Sequence, residues 1–230
     1  MKVELLTLPH KGIDPEYYAG FAAATCVGRT LYDCASTDGY VKNLEAALRS
    51  NHLSILEHLP LTWSIEGISR ACLAQLTRHR HMSFSVQSQR YSKVKTWAGE
   101  TDGSYKSWYV LPKTIDLHDQ PYISKKYEQL MDEIADFYND MLEQGVPAED
   151  ARMILPNACK TSIVVSMNAR SFLEAAQKRL CNKAQWEIRE LFWQMRESIK
   201  DIYPSVYELA IPNCCKEYNP CGRPWGDRSN

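Results

Sequence analysis

The chain has 230 residues, 44% of them apolar, and a formal net charge of -1 at neutral pH. That length and composition bury one sizeable core, and the near-neutral balance leaves no global field to hold a polyanion or an anionic membrane. No apolar run approaches the ~20 residues that span a bilayer, and Met1-Lys2-Val3-Glu4 opens without a basic segment leading into an apolar signal core, so the eight cysteines are expected as reduced thiols of a soluble, cytoplasmic protein.

Val3 and Leu5 alternate with Lys2 and Glu4, Leu6 and Leu8 flank Thr7, and Pro9 ends the run, which predicts a first strand. Asp14-Pro15-Glu16 reads as an N-cap followed by proline at the first helical position, opening a helix through Tyr17, Phe21, Ala24 and Val27. Asp38 is the expected cap of another helix carrying Val41, Leu44, Ala47 and Leu48, with Asn51 near its end. After Pro60, Leu61, Trp63 and Ile65 alternate as a short strand that delivers the chain to Glu66.

From Ser69 the period turns helical, with Ile68, Cys72 and Leu76 on one stripe. Gln75, Arg78 and His79 then share a neighbouring face at the C-terminal end, where cations are favoured. Past Arg80 neither period survives, and the serine-rich stretch is expected as a loop held by what it binds. Tyr105 to Leu111, ending in Pro112, predicts another strand. Tyr127, Leu130, Met131, Ile134, Phe137, Tyr138, Met141 and Leu142 recur at three and four before Gly145, a helix whose stripe is expected as core. Thr161, Ile163, Val165 and Met167 alternate as a strand, Asn168 is placed to cap the next helix, and Ile188, Leu191, Phe192, Met195, Ile199 and Ile202 line a long final helix. Strands and helices are mixed rather than regularly alternating, so the fold class is α+β: a single domain, residues 1–230, with a mixed or antiparallel sheet, packed helices and a long C-terminal helix.

The chemistry gathers at Arg78-His79-Arg80-His81-Met82-Ser83-Phe84-Ser85-Val86-Gln87-Ser88-Gln89-Arg90-Tyr91. No acidic residue stands between Glu66 and Glu100, while Arg70, Arg78, Arg80, Arg90, Lys93 and Lys95 are all positive, so an anionic partner is expected. Arginine forks clamp oxyanions at two points, and amides and hydroxyls read planar base edges. A solvated basic loop would carry the same charges without a ligand.

Arg179 stands apart on helix geometry. Phe172, Ala175 and Ala176 precede it by seven, four and three positions, which puts a guanidinium on their apolar face. Such an arginine needs a partner: a structural ion pair, with Glu174 or Glu187, or an anionic ligand. His79, His81 and Cys72 fit no familiar zinc spacing and sit beside opposing cations, so no metal is expected. Cys214, Cys215 and Cys221 offer thiols for zinc or a disulfide but have no nearby histidine, and loose reduced thiols are the simpler reading.

The order Arg78-His79-Arg80, seven residues, then Ser88-Gln89-Arg90-Tyr91 resembles the motif of the flavin-dependent thymidylate synthases. His52 to His58, Ile65 to Ala71 and Gln75 look like the family's first block. Ala151-Arg152-Met153-Ile154-Leu155-Pro156, Asn168-Ala169-Arg170-Ser171, and Arg179 through Ala184-Gln185-Trp186-Glu187-Ile188-Arg189 are similar to its later blocks, in order. The resemblance runs from about residue 52 to residue 189, with the tail at 212–230 outside it.

The resemblance implies reductive methylation of dUMP to dTMP, with methylenetetrahydrofolate giving the carbon, FADH2 the hydride, and NADPH reducing the flavin. It implies a homotetramer whose sites are assembled between subunits. On matched positions Gln75, Arg78, Gln87, Ser88, Gln89, Arg90, Arg152 and Arg179 would hold dUMP, with Ser88 and Arg179 nearest the reacting ring, and Ser54, Arg78, His79, Arg80, Asn168, Arg170 and Glu174 would hold FAD. Arg179 would stabilise negative charge on the uracil and so raise the nucleophilicity of C5. A cysteine nucleophile is disfavoured: Cys72 falls on a core stripe, and Cys181 is not a family catalytic position. Two positions depart from the family pattern. Ser85-Val86-Gln87 replaces the usual Asn-Glu, so the acidic contact at 86 is missing, and Glu174 stands where a histidine or asparagine is common.

Two rival readings use the same residues. A single-stranded nucleic-acid binder would stack bases on Phe84, Tyr91 and Trp97, and a relative that has lost catalysis would bind dUMP without flavin turnover.

Overall fold

A computed structural model describes residues 1–7, 14–30, 37–94, 108–116 and 121–212. In chain order the elements are β1 (Lys2–Leu5), α1 (Tyr17–Cys26), α2 (Thr37–Arg49), a 3-10 turn at Leu53–His58, β2 (Pro60–Ser69), α3 (Arg70–Leu76) and β3 (Met82–Val86). They continue with α4 (Lys113–Asp116), α5 (Pro121–Glu143), α6 (Ala148–Ala151), a 3-10 turn at Arg152–Ile154, β4 (Lys160–Asn168), α7 (Ala169–Arg179), α8 (Trp186–Ser198) and α9 (Pro204–Leu209). The strands form an antiparallel sheet in the order β1-β2-β4-β3, and the class is α+β. Two compact units share the chain: residues 1–65, 76–84 and 164–230 make one, and residues 66–75 and 85–163 the other. Among the described residues no helix is long and apolar enough to cross a membrane.

In the first unit the core is aromatic. Trp63, Phe172 and Phe192 are fully buried, with ring centroids 5.3 Å apart for Trp63 and Phe172 and 6.2 Å for the stacked Phe172 and Phe192. The buried indole Nε1 donates to Ser198 Oγ at 2.9 Å, which removes the cost of an unpaired donor. Glu16 is buried as well, and its carboxylate accepts from Ser205 N at 2.8 Å and Ser205 Oγ at 2.7 Å, tying the start of α1 to the first turn of α9. Burial pushes its pKa up, against the lowering effect of those Ser205 bonds. Helix α1 also runs against α2 so closely that a Cβ on Gly20 would lie 2.4 Å from the Tyr40 carbonyl oxygen.

The second unit is built on α5, whose Met131, Ala135 and Tyr138 are buried, the first two in a cluster with Trp108, Tyr109 and Cys159. Not all of the expected stripe is core. Leu130 and Phe137, seven residues apart on the adjoining face, are 51% and 57% exposed. Gly145 follows at φ 83°, the left-handed conformation that ends a helix and suits glycine.

Several sequence expectations change at their edges. The serine-rich stretch is not all loop: Met82–Val86 is a strand whose half-buried Met82, Phe84 and Val86 alternate with exposed Ser83 and Ser85. That period of two is present in the sequence, but hydroxyls fill its polar phase. Only a single antiparallel bridge, Tyr109 to Cys159, forms in the described part of 105–111, since Pro112 follows at once; residues 105–107 lie outside the described residues. Asp14 does not cap α1, because its Oδ1 accepts from Glu16 N at 2.8 Å in the turn before a helix that starts at Tyr17. Asp38 falls inside α2 rather than before it. The expected long final helix is broken, α8 ending at Ser198 and α9 restarting with Pro204 in its first turn, where proline needs no hydrogen-bond donor. Cys214, Cys215 and Cys221 lie outside the described residues.

Gly20→Ala is expected to destabilise the protein by about 1–3 kcal/mol, since a methyl group aimed at backbone forces α1 and α2 apart. Urea unfolding of the variant against the parent checks this.

Candidate functional site

Helix α7 sets the geometry of the first unit's site residues. Asn168 caps it, accepting from Ser171 N at 2.8 Å, and Ala169 N donates to Leu59 O at 2.8 Å, which fixes where the helix begins. Phe172, Leu173, Ala175 and Ala176 face the core, so the helix cannot rotate without exposing them. Arg170 therefore emerges in the first turn and half-buried Arg179 in the last, where the helix dipole favours a cation.

Arg179 has a partner that the sequence did not suggest. Its Nε donates to Nε2 of His79 at 2.9 Å, while Glu174 accepts from Arg170 Nε at 3.2 Å. His79 lies in the turn after α3, its ring 5.9 Å from that of buried Phe192. Burial, with Arg179 and Lys178 nearby, pushes the imidazole down from 6.5 to about 4. At neutral pH it is uncharged, and a nitrogen that accepts from a guanidinium must lack a proton, so the geometry and the charge state agree.

The other residues of this unit that the resemblance would place at a flavin are charged or polar and reach solvent at least in part. Arg78, Arg80 and Ser54 are exposed. Arg170 lies between two carboxylates, Glu174 and Glu57, the latter at 3.7 Å. Both pairs are at the surface, where an ion pair contributes at most ~1 kcal/mol and exchanges readily for a phosphate. This donor set fits a diphosphate-bearing cofactor. The Glu174 departure also has a local reason, since four residues on from Arg170 its carboxylate neutralises that guanidinium.

The second unit holds Gln75 on α3, Gln87 to Arg90 after β3, and Arg152. Ser88 Oγ accepts from the backbone N–H of Arg90 at 3.1 Å and of Tyr91 at 3.3 Å, a serine turn that leaves the hydroxyl proton as the part available to a ligand. Arg90 Nε contacts Glu149 Oε2 at 2.5 Å, and Arg152 Nε donates to the Glu149 carbonyl at 3.0 Å. Two exposed guanidiniums thus converge on one acidic residue, a small cationic surface suited to a phosphate. Of the three aromatics a base-stacking surface would use, Phe84 is half-buried on β3, Tyr91 is exposed, and Trp97 lies outside the described residues.

Glu149 and Cys159 were not singled out from the sequence, and Arg70 only as one of the six positive charges of the basic stretch. Cys159 is fully buried, and burial raises its thiol pKa against the opposing influence of Arg70 and a hydrogen bond from Gln89. A buried protonated thiol is a poor nucleophile.

The family model described as thymidylate synthase complementing protein matches residues 9–205. The flavin-dependent thymidylate synthase of Geobacter sulfurreducens is 38% identical over 212 residues, covering 90% of this chain and 86% of that one. The enzyme of the same name from Sulfolobus acidocaldarius is 34% identical over 215 residues, covering 93% of this chain and 78% of that one. Among solved structures, the flavin-dependent thymidylate synthase of Helicobacter pylori complexed with FAD and dUMP superposes with a TM-score of 0.70 at 25% identity, over 92% of this chain and 100% of that chain.

The His79 imidazole makes stability acid-sensitive in a defined window. Its folded pKa of about 4 lies below the ordinary 6.5, so the unfolded chain takes up the proton first. The stability that neutral His79 contributes is present above about 6.5 and is lost as pH falls through 6.5 towards 4. Urea midpoints of the parent should therefore fall more steeply between pH 7 and pH 4 than those of His79→Gln, which carries no titrating ring; parallel curves would contradict the assignment.

Proposed function

This chain belongs to the flavin-dependent thymidylate synthase family, and we propose that it binds FAD and converts dUMP to dTMP, taking a one-carbon unit from methylenetetrahydrofolate and reducing equivalents from NADPH. The observation that carries this reading is the pairing of Arg179 with a neutral His79 at 2.9 Å, which presents an oriented guanidinium beside residues matched to the flavin positions. A homotetramer and a cytoplasmic location accompany the proposal as properties expected of the family.

FAD, when bound, supplies the hydride that turns the transferred one-carbon unit into a methyl group. Ser54, Arg78, His79, Arg80, Asn168, Arg170 and Glu174 are the residues proposed to hold it. Gln75, Arg78, Gln87, Ser88, Gln89, Arg90, Arg152 and Arg179 are proposed for dUMP, with Arg90 and Arg152 suited to its phosphate. Arg179 would meet the pyrimidine. A fixed guanidinium favours the ring form carrying negative charge at N3 and its flanking carbonyls, and that charge, delocalised to C5, makes C5 the nucleophile. No cysteine addition is then required, in keeping with the buried, protonated state of Cys159. Holding His79 neutral also removes a positive charge that would otherwise repel the Arg179 guanidinium.

The purified protein should be yellow, or become so with FAD, and should form dTMP only when dUMP, methylenetetrahydrofolate and NADPH are all present. His79→Ala and Arg170→Ala should lower flavin occupancy, read as flavin absorbance per chain after gel filtration, before they lower the thermal midpoint. A colourless protein that takes up no FAD would refute the proposal.

A further inference from the structure

Resting on the reading that Gln87, Ser88 and Gln89 hold dUMP, we propose that Arg70 and Cys159, neither of which is placed at the nucleotide, act as a two-point clamp that sets the Ser88 turn from behind. Ser88 has a neighbour on each side that is anchored to the same short strip of the second unit. On one side, Arg70 Nη2 donates to the Gln87 carbonyl at 3.1 Å, while Gln87 N donates to Ser162 O at 2.9 Å. On the other, Gln89 Nε2 donates to Cys159 Sγ at 3.4 Å. The two anchors are themselves joined, because Arg70 N donates to the Cys159 carbonyl at 3.0 Å.

The chemistry of each anchor suits holding rather than reacting. The Cys159 thiol accepts from the Gln89 amide and donates to Lys160 O at 3.6 Å, which a thiolate could not do; the raised pKa from burial keeps the proton in place. Its backbone is fixed by the antiparallel bridge to Tyr109 and by donation from its own N–H to Pro156 O at 2.9 Å. Arg70 Nε is buried without a partner, so the bond to the Gln87 carbonyl offsets part of the cost of taking this guanidinium out of water.

The serine turn alone would not fix the loop. Ser88 Oγ organises only the residues that follow it, through the N–H groups of Arg90 and Tyr91. The direction in which the turn as a whole faces is decided by Gln87 and Gln89, and those two are held by Arg70 and Cys159. Both are positioning residues. Neither is assigned to the reacting atoms, so losing either should weaken ground-state and transition-state binding together.

The test compares Arg70→Met, which keeps the stem and loses the donor, and Cys159→Ala, which loses the acceptor, with the conservative Arg70→Lys and Cys159→Ser. Each variant is measured for dUMP dissociation constant by equilibrium dialysis, for KM and kcat, and for flavin absorbance per chain. One hydrogen bond's worth of positioning predicts that Arg70→Met and Cys159→Ala each weaken dUMP binding and raise its KM by about fivefold. Their kcat should stay within about twofold and their flavin content unchanged, with Arg70→Lys and Cys159→Ser recovering most of the loss. Should Cys159→Ala fail to fold, Cys159→Val fills nearly the same volume without the sulfur acceptor and should show the same weakening. Parent-like dUMP affinity in the folded variants would overturn the clamp while leaving the proposed activity intact. Failure of the parent itself to bind dUMP would overturn the functional reading and the clamp with it.

Discussion

The hydrogen bond from Arg179 Nε to His79 Nε2, 2.9 Å long, exists only while the imidazole is uncharged, and much of the first unit serves that condition. Burial against Phe192 and the proximity of Arg179 and Lys178 keep the ring neutral at physiological pH. The stacked pair Phe172 and Phe192 connects α7 to α8 behind the site, so the helix that carries Arg179 and the residue that backs His79 share one aromatic core. The Asn168 cap and the Leu59 carbonyl fix the start of α7, and the helical period then places Arg179 at its end. The imidazole acceptor fixes the direction in which the guanidinium points.

The second unit treats its cations differently. Arg90 is tied at the surface to the Glu149 carboxylate, which is easily exchanged for a phosphate, and Arg152 to the backbone carbonyl of the same residue. Hydrogen bonds without a carboxylate hold the Ser88 turn itself: two N–H groups on its hydroxyl, and Arg70 and Cys159 on its flanking residues. Exposed cations that give up a partner supply attraction, and the hydrogen bonds around Ser88 supply direction.

Much of this was legible in the sequence, for identifiable reasons. Strong periods gave β2, α5, β4 and α7, because their apolar residues recur at two or at three and four, and Asn168 before α7 is a direct capping signal. The strand Met82–Val86 was obscured because its polar phase is serine within a stretch read for binding chemistry. The break between α8 and α9 is marked by Pro204, which the apolar period at Ile199 and Ile202 overrides in a linear reading. The odd position of Arg179 was visible from spacing alone, but its partner was not, since His79 is 100 residues away and only the tertiary fold brings them together. Cys159 gave no local signal, and Arg70 only its charge, for the same reason: their relation to Gln89 and Gln87 exists only across paired segments.

The central claim is that the Arg179 guanidinium, oriented by His79, stabilises the charge that activates the pyrimidine. Single-turnover formation of dTMP from pre-reduced enzyme, saturated with dUMP and methylenetetrahydrofolate, tests this most directly in Arg179→Ala and Arg179→Lys. The account predicts a loss on the order of 10²-fold or more in Arg179→Ala, with thermal stability little changed, and partial recovery in Arg179→Lys, which keeps the charge but not the planar fork. Flavin reduction by NADPH without dUMP should be nearly unaffected in both. Methyl transfer at the parent rate in Arg179→Ala would contradict the account.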